Sequence, residues 1–145
     1  TLSLMDTGMK LNGKSIPLPT DQKYAINMFF TDYFPGTTKW KMSMKLAFAD
    51  GLPFSAPHKE LESNDFRAPA YKRVDIGMSY RLLDNNERTK KSIFKNIWLG
   101  VDCLNLFGID NVNSYYWITD VTNHQYAVPN YLTGRQINGK VLFEF

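Results

Sequence analysis

The sequence predicts an all-β, antiparallel protein whose strands have the length and patterning of transmembrane β-barrel strands, and three observations lead there. Apolar and polar residues alternate with period 2 in five segments of roughly ten residues each. The connections between these segments alternate between short and long. Aromatic residues are 14% of the 145, with 3 Trp, 8 Tyr and 10 Phe, and aromatics favour strands.

The first segment, 24–34, places Tyr24, Ile26, Met28 and Phe30 on one face, with Ala25, Asn27 and Thr31 between them. Pro35-Gly36 then marks a tight turn. Segment 40–49 alternates Trp40, Met42, Met44, Leu46 and Phe48 with Lys41, Ser43, Lys45, Ala47 and Ala49. Segment 72–82 sets Val74, Ile76, Met78, Tyr80 and Leu82 against Arg73, Asp75, Gly77, Ser79 and Arg81. Segment 95–106 sets Ile97, Leu99, Val101 and Cys103 against Asn96, Trp98, Gly100 and Asp102. The last, 135–145, sets Ile137, Gly139, Val141, Phe143 and Phe145 against Gln136, Asn138, Lys140, Leu142 and Glu144. In the long connection after Phe107, residues 114–121 and 125–128 are expected to form a small hairpin.

Strands this long exceed the five or six residues usual in soluble sheets and match what a tilted strand needs to cross a bilayer. Short turns on one side and long loops on the other belong to the same pattern. With the short connections on one side, Phe30, Phe34, Trp40, Tyr80, Phe143 and Phe145 fall near it on the apolar face, while Tyr24 and Phe48 fall at the far end. Two aromatic bands flanking aliphatic residues are the girdle of a membrane barrel. Val74, Ile76, Met78 and Val141 are therefore assigned to lipid.

Length fits one domain. Hydrophobic residues make up 43%, and no stretch approaches the roughly 18 apolar residues of a transmembrane helix. Lys and Arg number 17 against 14 Asp and Glu, a net charge of +3, which excludes a dedicated nucleic-acid binder. Arg88, Lys90 and Lys91, the densest basic run, read as a solvated turn. Cys103 is the only cysteine, so no internal disulfide or cysteine-based zinc site is possible. An opening at Thr1 rather than at methionine points to a piece of something longer, or to a mature form with its front removed.

Few motifs carry chemistry. Residues 8–15, Gly-Met-Lys-Leu-Asn-Gly-Lys-Ser, match the P-loop pattern letter for letter. That chemistry needs a helix after Ser15, and Pro17 and Pro19 forbid one. His58 and His124 lie in loops without a third metal ligand at useful spacing. Cys103, on an apolar face, is a small hydrophobe. Asp75 and Asp102 form a conceivable carboxylate pair, but Arg73, Arg81, Lys45 and Lys140 share their face, and a ladder of compensated charges lining a wet lumen accounts for them better. No catalytic residue, metal or cofactor is expected. Ligand contact falls to the aromatics of the long loops, Phe54, Tyr115, Tyr116, Trp117 and Tyr126, which either recognise a ligand or pack on one another.

Residues 67–77, Arg-Ala-Pro-Ala-Tyr-Lys-Arg-Val-Asp-Ile-Gly, are followed by Asn105-Leu106-Phe107, by Asn111, and by Pro129-Asn130-Tyr131-Leu132-Thr133-Gly134-Arg135. The last strand ends in Phe145. In this order the elements resemble the last strands of TonB-dependent outer-membrane receptors. The nearest subgroup is the one with an N-terminal carboxypeptidase-regulatory-like domain, and Gly51-Leu52-Pro53-Phe54 resembles that subgroup as well. The resemblance covers roughly residues 20–145.

It implies a barrel of about 22 strands filled by a plug, located in the outer membrane of a Gram-negative bacterium. Such a receptor imports a nutrient such as a glycan, peptide or metal chelate, with energy delivered through the TonB complex. Residues 1–145 would then be the C-terminal barrel part. Its partners would be the remaining strands and plug, outer-membrane lipid and, in related systems, a surface lipoprotein. Phe143 and Phe145 resemble the C-terminal signal read during barrel assembly. The alternative is a self-contained eight-stranded barrel, either a small outer-membrane protein or a lipocalin-like binder. In that reading residues 1–6, 114–121 and 125–128 supply the extra strands.

Overall fold

The computed structural model describes residues 1–11, 13–55, 66–84 and 94–145. Every regular element among them is a strand: β1 (Leu2–Leu4), β2 (Gly8–Leu11), β3 (Lys14–Pro17), β4 (Tyr24–Tyr33), β5 (Trp40–Ala49), β6 (Pro53–Phe54), β7 (Phe66–Arg67), β8 (Tyr71–Asp84), β9 (Asn96–Leu104), β10 (Val112–Thr119), β11 (Gln125–Tyr131) and β12 (Gln136–Glu144). No helix of the described residues is long and apolar enough to cross a membrane.

One sheet has the order β1-β4-β5-β8-β9-β12; β2–β3, β6–β7 and β10–β11 form two-stranded sheets of their own. The pairs β1–β4, β8–β9 and β9–β12 are antiparallel. The chain is thus all-β, and the six-stranded sheet is open, with β1 and β12 at its edges. The five expected strands are β4, β5, β8, β9 and β12. Of the three segments that an eight-stranded barrel would recruit, the first joins this sheet as β1, whereas β10 and β11 pair only with each other. The basic run at Arg88, Lys90 and Lys91, together with His58 and Asn12, lies outside the described residues.

The chain divides into two units. The first comprises Thr1–Asn27, Ala47–Lys72 and Ile109–Gly134. Here the P-loop look-alike is the β2–β3 hairpin, with Gly8 opposite Pro17 and Gly13 at φ 80° in its turn. Ile16, which faces Met9 across the hairpin, is buried. A phosphate loop runs into a helix; this segment turns back on itself as a strand.

The second unit comprises Met28–Leu46, Arg73–Gly108 and Arg135–Phe145. Register aligns its side chains in rows. Ile76–Cys103–Ile137, Met78–Val101–Gly139 and Tyr80–Leu99–Val141 share one face. Gly77–Asp102–Asn138 and Ser79–Gly100–Lys140 share the other. Simple alternation puts Leu82 on the apolar face, and the structure corrects this. A bulge between Arg81 and Leu83 seats Leu83, not Leu82, opposite Ile97. One extra residue shifts the parity of everything beyond it.

Little apolar surface is covered. Among the described residues only two hydrophobic side chains are buried, Ile16 and Ala47, while Met28, Leu99, Val101, Ile137 and Val141 are all exposed. The fully buried side chains are polar, Asp21 and Asn105 at 2%. That inverts the usual arrangement of a water-soluble domain.

Candidate functional site

In the first unit the long connections meet in an aromatic stack. Phe54, on β6, lies parallel to Tyr115 of β10 at 4.5 Å and 17°. Phe66, on β7, stacks on Phe54 at 5.7 Å, and Trp117 approaches it tilted at 6.5 Å. Alternation along β10 explains the choice of residues. Tyr115 and Trp117 point to one face and are half-buried, whereas Tyr116 and Ile118 point to the other.

On that other face Tyr116 pairs with Val128 and Ile118 with Tyr126. Tyr116 is 62% and Tyr126 56% exposed. Five aromatics named as ligand contacts therefore divide. Phe54, Tyr115 and Trp117 pack on one another, whereas Tyr116 and Tyr126 are exposed. A cavity of about 330 Å³ lies beside the stack, lined by Phe54, Tyr115, Trp117, Asn113 and Ser114. The hairpin ends in a tight turn built on Asp120, whose Oδ1 accepts from the amides of Thr122 and His124 and from the Thr122 hydroxyl. His124 Nδ1 is 2.8 Å from that hydroxyl, so the histidine serves the turn.

Arg67 anchors the same unit. Its guanidinium donates to Asp21 Oδ2 at 2.8 Å, to Asp50 Oδ2 at 2.7 Å and to the Gly51 carbonyl at 2.8 Å. Asp21 Oδ1 accepts from the Thr7 amide at 2.9 Å. Asn111, also buried, uses its carboxamide as a strand would, accepting from the Lys72 amide and donating to the Lys72 carbonyl. Asp21, Asp50 and Phe66 are sites that sequence reasoning missed. Their partners lie up to 46 residues away, and nothing local marks them.

The Thr7 amide and the Arg67 guanidinium hold the Asp21 carboxyl below its ordinary value of 3.8. A carboxyl depressed in the folded state contributes stability above its ordinary value and loses that contribution as pH falls through the lower folded one. Stability of the first unit is therefore expected to decline below about pH 4. Asp21→Asn should make the acid limb shallower, as acid unfolding followed by tryptophan fluorescence will show. An unchanged limb would mean that Asp21 titrates normally.

In the second unit Asp75 and Asp102, on the polar face, are committed to different cations. Asp75 Oδ1 accepts from Arg73 Nε at 2.7 Å and from the Asn105 amide at 2.8 Å. Both oxygens of Asp102 accept from Lys140 Nζ at 2.8 Å. Arg81 turns elsewhere, donating to Thr38 and lying 5.4 Å over the Trp98 ring. The face carries the charge ladder that alternation implied. A cavity of about 470 Å³ opens on it between Lys41, Lys140, Tyr33 and Trp98.

The Asn-Leu-Phe block is a structural turn. Asn105 takes φ 51°, a left-handed conformation that asparagine tolerates, and Gly108 follows at φ 63° with its amide on the Asn105 carbonyl. Phe143 and Phe145 both pack on Phe94, at 5.4 and 5.2 Å. Val74 and Ile76 are half-buried, Met78 and Val141 exposed, and Cys103 sits half-buried between Ile76 and Ile137. Among the described residues no group of His, Cys, Asp and Glu gathers closely enough to hold a metal ion. No family model, curated protein or solved structure matches this chain.

Proposed function

We propose that the chain is part of the barrel wall and external loops of an outer-membrane active transporter of the TonB-dependent receptor type. In this reading the second unit contributes transmembrane strands and the first unit contributes loops that meet the imported nutrient. One observation carries the proposal. The long strands of the second unit leave their aliphatic and aromatic row exposed, while the opposite row is ion-paired and hydroxyl-rich. A sheet in water covers its apolar face; a sheet in a bilayer turns that face to lipid and pairs its charges toward a wet lumen. The open edges of β1 and β12 then pair with further strands of the same barrel, since unpaired strand edges are not tolerated in hydrocarbon. The plug and the TonB complex are the partners such a transporter requires, with a surface lipoprotein as a further one. The exposed pair Tyr116 and Tyr126 is the ligand-facing part of the loops.

Cysteine-attached probes distinguish this from a soluble binding barrel. Labels at Met78 and Val141 are expected to report hydrocarbon, and labels at Ser79 and Leu142 an aqueous lumen. The reverse assignment, or a monomer that stays soluble without detergent, would overturn the membrane reading.

A further inference from the structure

The polar face of the second unit holds a hollow that the charge ladder does not explain. Its floor is Gly100, where a methyl would lie 2.6 Å from Lys140 Cε and 2.8 Å from Ser79 Oγ, so the strand carries no side chain there. Register sets Gly100 between Ser79 and Lys140, and sets Trp98, the next residue on that face, between Arg81 and Leu142. Trp98 is half-buried, and Tyr33 of β4 reaches it, with ring centroids 6.4 Å apart and planes tilted by 43°. The space they border is the cavity of about 470 Å³, a volume within the range of small-molecule sites.

Trp98, Leu142 and Tyr33 give this cavity an apolar wall, and Ser43 and Ser79 give it hydroxyls. Lys41, Lys140 and Glu144 bring charge. Lys140 Nζ is held by both oxygens of Asp102, and Glu144 Oε2 accepts from Asn96 Nδ2 at 2.6 Å. Lys41 is exposed and forms no ion pair among the described residues; its ammonium stands 5.9 Å from the centre of the Tyr33 ring. The cavity therefore has a positive charge to offer one carboxylate, while Glu144 repels a second negative charge. The rings choose between a flat and a polyhydroxylated body. One face of each is covered by a cation, Lys41 on Tyr33 and Arg81 on Trp98 at 5.4 Å. A sugar stacks on a broad free face. Two tilted rings present edges, the positive end of the ring quadrupole, which attract the electron-rich face of a further arene.

We infer that this cavity binds an aromatic monocarboxylate bearing a ring hydroxyl. The ring lies against Trp98, Leu142 and Tyr33, the carboxylate meets the Lys41 ammonium, and the hydroxyl falls among Ser43, Ser79 and Glu144. A charge-assisted hydrogen bond from Lys41 fixes the orientation. The site goes beyond the transport reading, since it needs only that this face meet water.

Saturation-transfer NMR of the intact polypeptide, folded in detergent and titrated with 4-hydroxybenzoate, tests this. Saturable binding is expected, and Lys41→Gln should weaken it about fivefold, the upper end for an exposed ion pair. The neutral isostere 4-hydroxybenzamide should bind the wild type as weakly as the acid binds Lys41→Gln, and that substitution should leave the amide unaffected. Trp98→Ala should weaken acid and amide alike. Tyr33→Leu, at an exposed position, gives the same test should the tryptophan variant not fold. Absence of saturable binding overturns the inference, and so does equal binding of acid and amide. Displacement of the acid by inorganic phosphate or glucuronate at equal concentration overturns it as well, since neither carries an aromatic ring. Failure of the membrane reading looks different: the protein is soluble without detergent and still binds the acid.

Discussion

If the second unit spans a bilayer as proposed, arginine in place of Ile76 is expected to lower folding stability in lipid vesicles by about 2–4 kcal/mol, the cost of a cation facing lipid near the midplane. Ile76 sits in the row Ile76–Cys103–Ile137, a central position between the aromatic ends of the strands. A guanidinium there has no carboxylate in its own row; Asp75 and Asp102 are engaged on the other face. The long side chain must snorkel along exposed aliphatic surface to reach water. Asn138→Arg is the control. Asn138 is exposed on the polar face beside Asp102, so a cation there should change stability by less than about 0.5 kcal/mol. Urea titration of the intact polypeptide refolded in vesicles measures both. Equal costs for the two variants would mean that the faces do not see different solvents.

Gly51→Ala is expected to be the most damaging small change in the first unit, at about 3 kcal/mol, the upper end for overpacking. A methyl at this position would lie 1.6 Å from the Ala68 carbonyl oxygen. The obstacle is backbone, so no rotamer change relieves it. The only response is to part the segments around β6 and β7, and three other interactions depend on their contact. Ala68 donates its amide to Leu52, Arg67 donates to the Gly51 carbonyl, and Phe54 stacks on Phe66. Gly134→Ala, where a methyl meets nothing within 4 Å, should stay within about 0.5 kcal/mol of the wild type. Thermal unfolding of the two variants side by side decides the matter, and similar midpoints would show that the close approach is not maintained in solution.

The long strands were legible because alternation reports the face of a sheet directly, and β4, β5, β8, β9 and β12 all carry it. The Arg81–Leu83 bulge was not, since an inserted residue leaves no trace in a pattern of single letters until the partner strand is known. The loop hairpin was visible as two β-rich runs, yet which aromatics it buries depended on parity within β10. Tyr115 and Trp117 fall on one side and Tyr116 on the other by that rule alone. Arg67 stood in a recognisable motif while its partners Asp21 and Asp50 did not, because an ion pair between distant segments has no local signature. The β6–β7 pair escaped for the opposite reason. Two residues per strand are too few to show any period.

Neither unit is a continuous stretch of chain; each is assembled from three separated segments, the first needing residues up to Gly134 and the second up to Phe145. Contacts such as Arg67 to Asp21 and Asn96 to Glu144 span 46 and 48 residues. Loop closure of that size must precede any reward from the contact, so formation is slow and begins late. As the ribosome delivers this polypeptide, the first unit cannot be completed until Gly134 has emerged, nor the second until the final strand has. Through that interval the strand edges that later pair across the second unit are open, and unpaired edges beside exposed aliphatic rows are what make partly formed β structure prone to aggregate.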